Sequence, residues 1–154
     1  MDATRYGALL IEDDPLVIDF ARNAVAESCP EMDLTVLEGI NAALDWLKGG
    51  VANNEQIPHI IFMDLKLPKL DGLALLRTIR NYPTMRNIPI VAFSPEHTPA
   101  DVVMSYQVGA NSFVAKPADQ EQFGELFREQ LEYWMRPHQR STPIAAAGDA
   151  TGRI

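Results

Sequence analysis

Cysteine is nearly absent: Cys29 is the only one in 154 residues. A single thiol excludes a disulfide framework and a thiolate metal centre. At the end of a helical pattern it reads as a small, half-buried residue. Basic residues are scarce as well. Thirteen Lys and Arg stand against 21 Asp and Glu, the net charge is −8, and no basic cluster occurs. That balance argues against a nucleic-acid-binding face. The three histidines, His59, His97 and His138, have no metal-ligand spacing and read as surface or loop residues. No apolar run approaches the ~20 residues that a membrane span needs. The stretch from Met1 to Tyr6 is polar and holds no signal-peptide core. The expectation is a soluble, cytoplasmic protein with no membrane contact.

What is present suits one globular domain. A hydrophobic content of 47% in a chain of this length is enough for a real core. Strand-like and helix-like segments alternate. Apolar runs at Ala8–Ile11, Leu34–Leu37, His59–Met63, Ile88–Phe93 and Ser112–Ala115 read as strands. Between and after them, Pro15–Ser28, Asn41–Lys48, Gly72–Asn81, a segment opening at Thr98-Pro99 and Asp119–Trp134 read as helices. Asp14-Pro15 is an N-cap followed by a first-turn proline. Thr98 to Asp101 has the form of a capping box, and Gly49-Gly50 stops the second helix. Near-continuous apolar strands alternating with helices predict an α/β fold, a doubly wound five-stranded parallel sheet covered on both faces. After Pro137 the chain turns rich in Ala, Gly and Thr. The reading is a domain over 1–137 and a disordered tail over 138–154.

The strand ends carry the chemistry. The run Ile60-Ile61-Phe62-Met63 closes on Asp64, and Ala8–Ile11 closes on Glu12-Asp13-Asp14. Ser94 follows the fourth strand and Lys116-Pro117 the fifth. In open parallel sheets that rim is where ligands bind. Several carboxylates on one rim repel one another unless a cation sits among them. Acids with a divalent cation, a hydroxyl and an ammonium suit phosphoryl chemistry, in which one carboxylate can be the nucleophile and form an acyl phosphate.

Taken in order, Glu12-Asp13, Asp64 followed by Leu-Lys-Leu-Pro-Lys-Leu-Asp-Gly, Ser94, Phe113 and Lys116-Pro117 resemble the receiver domain of two-component response regulators, over about residues 6–135. The fold implied is the flavodoxin-like (βα)5 receiver. The resemblance implies that Asp64 accepts a phosphoryl group and that Glu12 and Asp13 hold Mg²⁺, with Asp13 the direct ligand. The Lys66 carbonyl would complete the protein's share of the metal shell. Ser94 would be the switch hydroxyl, Phe113 the switch aromatic and Lys116 the phosphate-binding lysine, with a cis Lys116–Pro117 bond. The partner would be a sensor histidine kinase or a histidine phosphotransfer protein. Self-catalysed phosphotransfer and autodephosphorylation would then be the chain's own chemistry, so it is not read as a conventional enzyme. Gly49–Gln56 and the ending Leu131-Glu132-Tyr133-Trp134 further resemble single-domain regulators encoded with bacterial phytochrome kinases. A homodimer face built from the fourth helix, fifth strand and fifth helix is implied too.

Two departures and three rivals bear on this reading. Pro95 stands where relatives usually carry a small residue, and proline has no N–H to offer a phosphoryl oxygen. Lys66 and Glu96 flank the site with opposite charges that could pair across its mouth and slow dephosphorylation. Asp14 and Asp71 read as helix caps. A phosphohydrolase of the haloacid-dehalogenase type would want a second Asp where Lys66 stands. A flavin or nucleotide binder would want a Ser/Thr/Gly-rich loop after the first strand, where this chain has Glu12-Asp13-Asp14. A phosphorylation-independent adaptor with a vestigial site is the third rival.

Overall fold

The computed structural model describes residues 6–49, 57–66, 72–95 and 97–135. Strands β1 (Tyr6–Ile11), β2 (Met32–Leu37), β3 (Ile60–Asp64), β4 (Ile90–Ser94) and β5 (Ser112–Ala115) form one sheet in the order β2-β1-β3-β4-β5. Every pairing is parallel. Helices α1 (Pro15–Ser28), α2 (Ile40–Gly49), α3 (Gly72–Asn81), α4 (Pro99–Val108) and α5 (Gln120–Trp134) alternate with the strands, and a short 3-10 turn spans Pro83–Met85.

Period-two alternation divides the strand side chains between two cores. Leu9, Ile11, Ile61, Met63, Ile90 and Ala92 face α2 and α3. Ala8, Leu10, Ile60, Phe62, Val91 and Phe93 face α1 and α5. Both faces of the central strands are buried, which is why their sequences read as unbroken apolar runs. Strand order reverses between β1 and β3, so the crevice at their C-terminal ends is the topological switch point.

Local chemistry sets the helix ends. Asp14 accepts from the Leu16 amide at 3.0 Å and Pro15 opens α1. At α4 the capping box is complete: Thr98 Oγ1 accepts from the Asp101 amide at 3.1 Å, and the Asp101 carboxylate accepts from the Thr98 amide at 2.8 Å. α4 ends on Gly109, at φ +127°, a conformation that costs other residues strain.

Several boundaries differ from the sequence reading. β1 and β2 each begin two residues earlier, where parallel pairing from Tyr6↔Met32 onward extends them past their apolar centres. β3 and β4 run through Asp64 and Ser94, and Pro89, with no amide to donate, stays outside β4. Gly49 belongs to α2. The Lys116–Pro117 bond is trans, since no described peptide bond is cis; trans is the lower-energy isomer for X–Pro. The expected tail at 138–154 and the Asp71 cap lie outside the described residues.

Candidate phosphoryl and metal site

The rim at the switch point gathers Glu12, Asp13, Asp64 and Lys116. Glu12 follows β1 directly, and its amide donates to the Leu37 carbonyl at 3.1 Å, tying the turn to the end of β2. Its side chain is fully buried. Oε2 accepts from the Asp14 amide at 3.1 Å. Oε1 lies 2.9 Å from Lys116 Nζ, an ion pair. Asp64 is 3% exposed. Its Oδ1 accepts from the Lys66 amide at 2.9 Å and its Oδ2 from Lys116 Nζ at 2.8 Å. The Lys116 amide donates to the Ser94 carbonyl at 3.0 Å, which fixes where the lysine leaves the sheet.

Two carboxylates thus share one buried ammonium. Burial raises Glu12 most, the Asp64 charge adds to it and Lys116 opposes it; the net effect pushes its carboxyl up to about 7. Burial alone would lower Lys116, but its contacts with Asp64 and Glu12 outweigh that and raise it. Asp13 is half-buried at the mouth. Oxygen atoms of Glu12, Asp13 and Asp64 lie within 4.8 Å of one another. Three carboxylates whose oxygens stand this close together, two of them buried, are a hard-oxygen donor set that fits a divalent cation. One ammonium leaves such a cluster short of positive charge.

The remaining predicted residues surround this cluster. Ser94 is buried at the end of β4, beside the strand that carries Asp64. Lys66 is exposed, and its backbone amide is what reaches Asp64. Phe113 is half-buried on β5; its amide donates to Tyr106 Oη at 3.0 Å, and its ring meets His97 edge-on at 5.1 Å. Glu96 lies outside the described residues, so the expected Lys66–Glu96 pair is not placed. The Asp101 carboxyl is held below its ordinary value first by the Thr98 amide and to a smaller extent by the charges of Lys66 and His97.

Sequence reasoning read Gly72 as part of the motif after Asp64 and missed its packing role. A Cβ there would stand 2.4 Å from the Leu65 carbonyl oxygen, so the start of α3 closes on the residue after Asp64 only because position 72 has no side chain. It missed Arg80 too. That guanidinium donates to the carbonyls of Met85, Ile88 and Gly109 and to Asn111 Oδ1 at 2.7–2.8 Å, clamping α3 to the turn before β5. An arginine late in an amphipathic helix carries no signal of this in sequence.

A parallel 2-1-3-4-5 sheet with an acidic, lysine-bearing rim defines an α/β signalling fold, and the chain belongs to the response regulator receiver domain family, whose sequence profile matches residues 8–128. It is a receiver of two-component signalling. The chain is similar to the response regulator Rcp1 of Synechocystis sp., at 27% identity over 128 residues, spanning 82% of this chain and 87% of Rcp1. It is similar to the probable methanogenesis regulatory protein FilR2 of Methanothrix harundinacea, at 27% identity over 139 residues, 84% of this chain and 90% of FilR2. Among solved structures, the phosphorylated cyanobacterial phytochrome response regulator RcpA superposes with a TM-score of 0.78 at 28% identity, covering 87% of this chain and 96% of RcpA. The Mn²⁺-bound form of Rcp1 gives 0.76 at 26% identity, covering 85% and 95%. Among the described residues no helix is long and apolar enough to cross a membrane.

Proposed function

We propose that this chain is a cytoplasmic single-domain response regulator that accepts a phosphoryl group on Asp64 from a histidine kinase or a histidine phosphotransfer protein. The observation that carries the reading is the position of Asp64: buried at a strand end, 2.8 Å from Lys116 Nζ and clustered with Glu12 and Asp13. The similarity to a phytochrome response regulator supports a phytochrome-type kinase as the donor's class. The receiver is assigned to residues 1–137, with 138–154 as a tail outside it.

In the step itself an Asp64 carboxylate oxygen attacks phosphorus, the bond from phosphorus to the donor's imidazole nitrogen breaks, and the imidazole leaves with the electron pair. Glu12, Asp13, Asp64 and the Lys66 carbonyl would hold Mg²⁺, which when bound neutralises charge on the phosphoryl oxygens. Lys116, held at the rim by burial and by two carboxylates, is aimed where that charge develops. Ser94, at the end of the adjacent strand, supplies a hydroxyl to the phosphoryl group. Its shift makes room for Phe113 to turn inward and biases the α4–β5–α5 surface between two states. That surface exposes Val103, Met104, Tyr106 and Tyr133 and is the candidate homodimer face. Trp134 is committed elsewhere, with its indole N–H placed against Gln130 Oε1 at 3.1 Å and Ser112 Oγ at 3.3 Å.

The adaptor alternative loses ground because the acidic residues and the lysine are assembled around Asp64, and Pro95 displaces none of them. The test is intact mass after incubation with acetyl phosphate and Mg²⁺. The expected result is a gain of one phosphoryl group that Asp64→Asn abolishes. No gain in the wild-type chain with Mg²⁺ present, from acetyl phosphate or from a phosphorylated histidine donor, would refute the reading.

A further inference from the structure

We propose that Phe93 is a positioning residue for Lys116, its ring face holding the ammonium at the rim beside Asp64. The proposal goes beyond the phospho-acceptor reading of Asp64, and its effect on rate rests on that reading. Lys116 Nζ lies over the Phe93 ring, 5.4 Å from the centroid. That is inside the ~6 Å over which a ring quadrupole attracts a cation. The ring is 4% exposed, so little water weakens the attraction.

Its orientation is fixed from several sides. Phe93 pairs with Asp64 in register, and its carbonyl accepts from the Leu65 amide at 3.0 Å. The same backbone segment therefore carries the nucleophile's neighbour on one strand and the lysine's support on the next. Phe123 of α5 meets the Phe93 ring edge-on, at 6.0 Å and 87°. Phe127 stacks on Phe123 at 5.8 Å and on Phe62 of β3 at 4.1 Å. The ring under Lys116 is thus the end of an aromatic column reaching through the α1–α5 core.

An ammonium has three donors and no acceptor. Asp64 takes one and Glu12 stands against the cation from another side. The aromatic face adds a third contact to an ammonium whose side chain is 8% exposed. Leu at position 93 would keep the site apolar without attracting a cation. The support acts before transfer, while Lys116 is shared between two carboxylates; once Asp64 is an acyl phosphate, the phosphoryl oxygens become the lysine's partner.

The test is a fluorination series at position 93. Phenylalanine analogues with one, two and three ring fluorines nearly conserve shape and progressively weaken the ring's negative face. Phosphorylation by acetyl phosphate with saturating Mg²⁺ should slow stepwise along the series. Phe93→Leu should slow it about three- to thirty-fold. A rate flat across the series would overturn the proposal. A second readout uses the unphosphorylated chain and is independent of Asp64 chemistry. The Lys116 Cε methylene protons should be shifted upfield by the ring current and should lose that shift in Phe93→Leu. Methylene protons at their ordinary position in the wild-type chain would overturn the placement of Lys116 whatever Asp64 does.

Discussion

Replacing Asp13 by Asn should stabilise the metal-free protein. Glu12, Asp13 and Asp64 bring carboxylate oxygens within 4.8 Å of one another, with Lys116 the only cation paired with the two buried acids among the described residues. At that separation and an effective dielectric of about 20, each carboxylate pair repels by about 3.5 kcal/mol. Asp13 is half-exposed, so solvent and salt screen much of this, and about 1–2 kcal/mol remains to be recovered on neutralisation. For a domain of this size that is a rise of roughly 2–8 °C in the unfolding midpoint. The assay is thermal or urea unfolding in EDTA and in Mg²⁺. The wild-type chain should gain about 2.7 kcal/mol at a hundredfold excess of Mg²⁺ over its dissociation constant. At the same Mg²⁺ concentration Asp13→Asn should gain far less, because it has lost a ligand. A variant less stable than wild type in EDTA, or one with an undiminished Mg²⁺ response, would refute the reasoning that this cluster is a charge-frustrated cation site.

Three further outcomes follow from the geometry. Mg²⁺ affinity should weaken by up to about tenfold from pH 8 to pH 6 in a direct titration, because Glu12 must be ionised to bind. The sign agrees with stability: Glu12 rises from 4.5 to about 7 on folding, so the folded state binds the proton more tightly and metal-free stability should fall as pH rises through that window. Gly72→Ala should cost about 2–3 kcal/mol in urea unfolding, since its Cβ would stand 2.4 Å from the Leu65 carbonyl oxygen and 2.6 Å from the Leu65 Cα; an unchanged midpoint would contradict the close approach. Arg80→Lys should cost roughly 2–4 kcal/mol despite keeping the charge, because a single ammonium cannot reach the carbonyls of Met85, Ile88 and Gly109 together.

The sheet and the rim were legible in sequence for one reason. Buried parallel strands read as apolar runs, and the residue that ends each run sits at the ligand-binding edge. Asp64, Ser94 and Lys116 were found by position alone, and the caps at Asp14 and Thr98 by their local chemistry. Strand starts were less visible: β1 extends by backbone pairing into Tyr6 and Gly7, while β2 begins at Met32, whose alternation with Leu34 and Val36 across Asp33 and Thr35 was there to be read. The 3-10 turn at Pro83–Met85 falls in a stretch with no hydrophobic period. Gly72, Arg80 and Phe93 act through contacts with distant parts of the fold. Phe93 in particular looked like any core residue of Ile88–Phe93, because nothing in a sequence says that a lysine just past another strand will lie over its ring.

The central claim is that Asp64 itself becomes the acyl phosphate. Borohydride reduction of the phosphorylated chain, followed by peptide mass analysis, tests it directly, because reduction converts an aspartyl phosphate to homoserine and leaves free carboxylates unchanged. Homoserine at position 64, dependent on Mg²⁺, is the predicted result. Reduction at Glu12 or Asp13 instead, or a phosphorylated chain with position 64 still aspartate, would contradict the account.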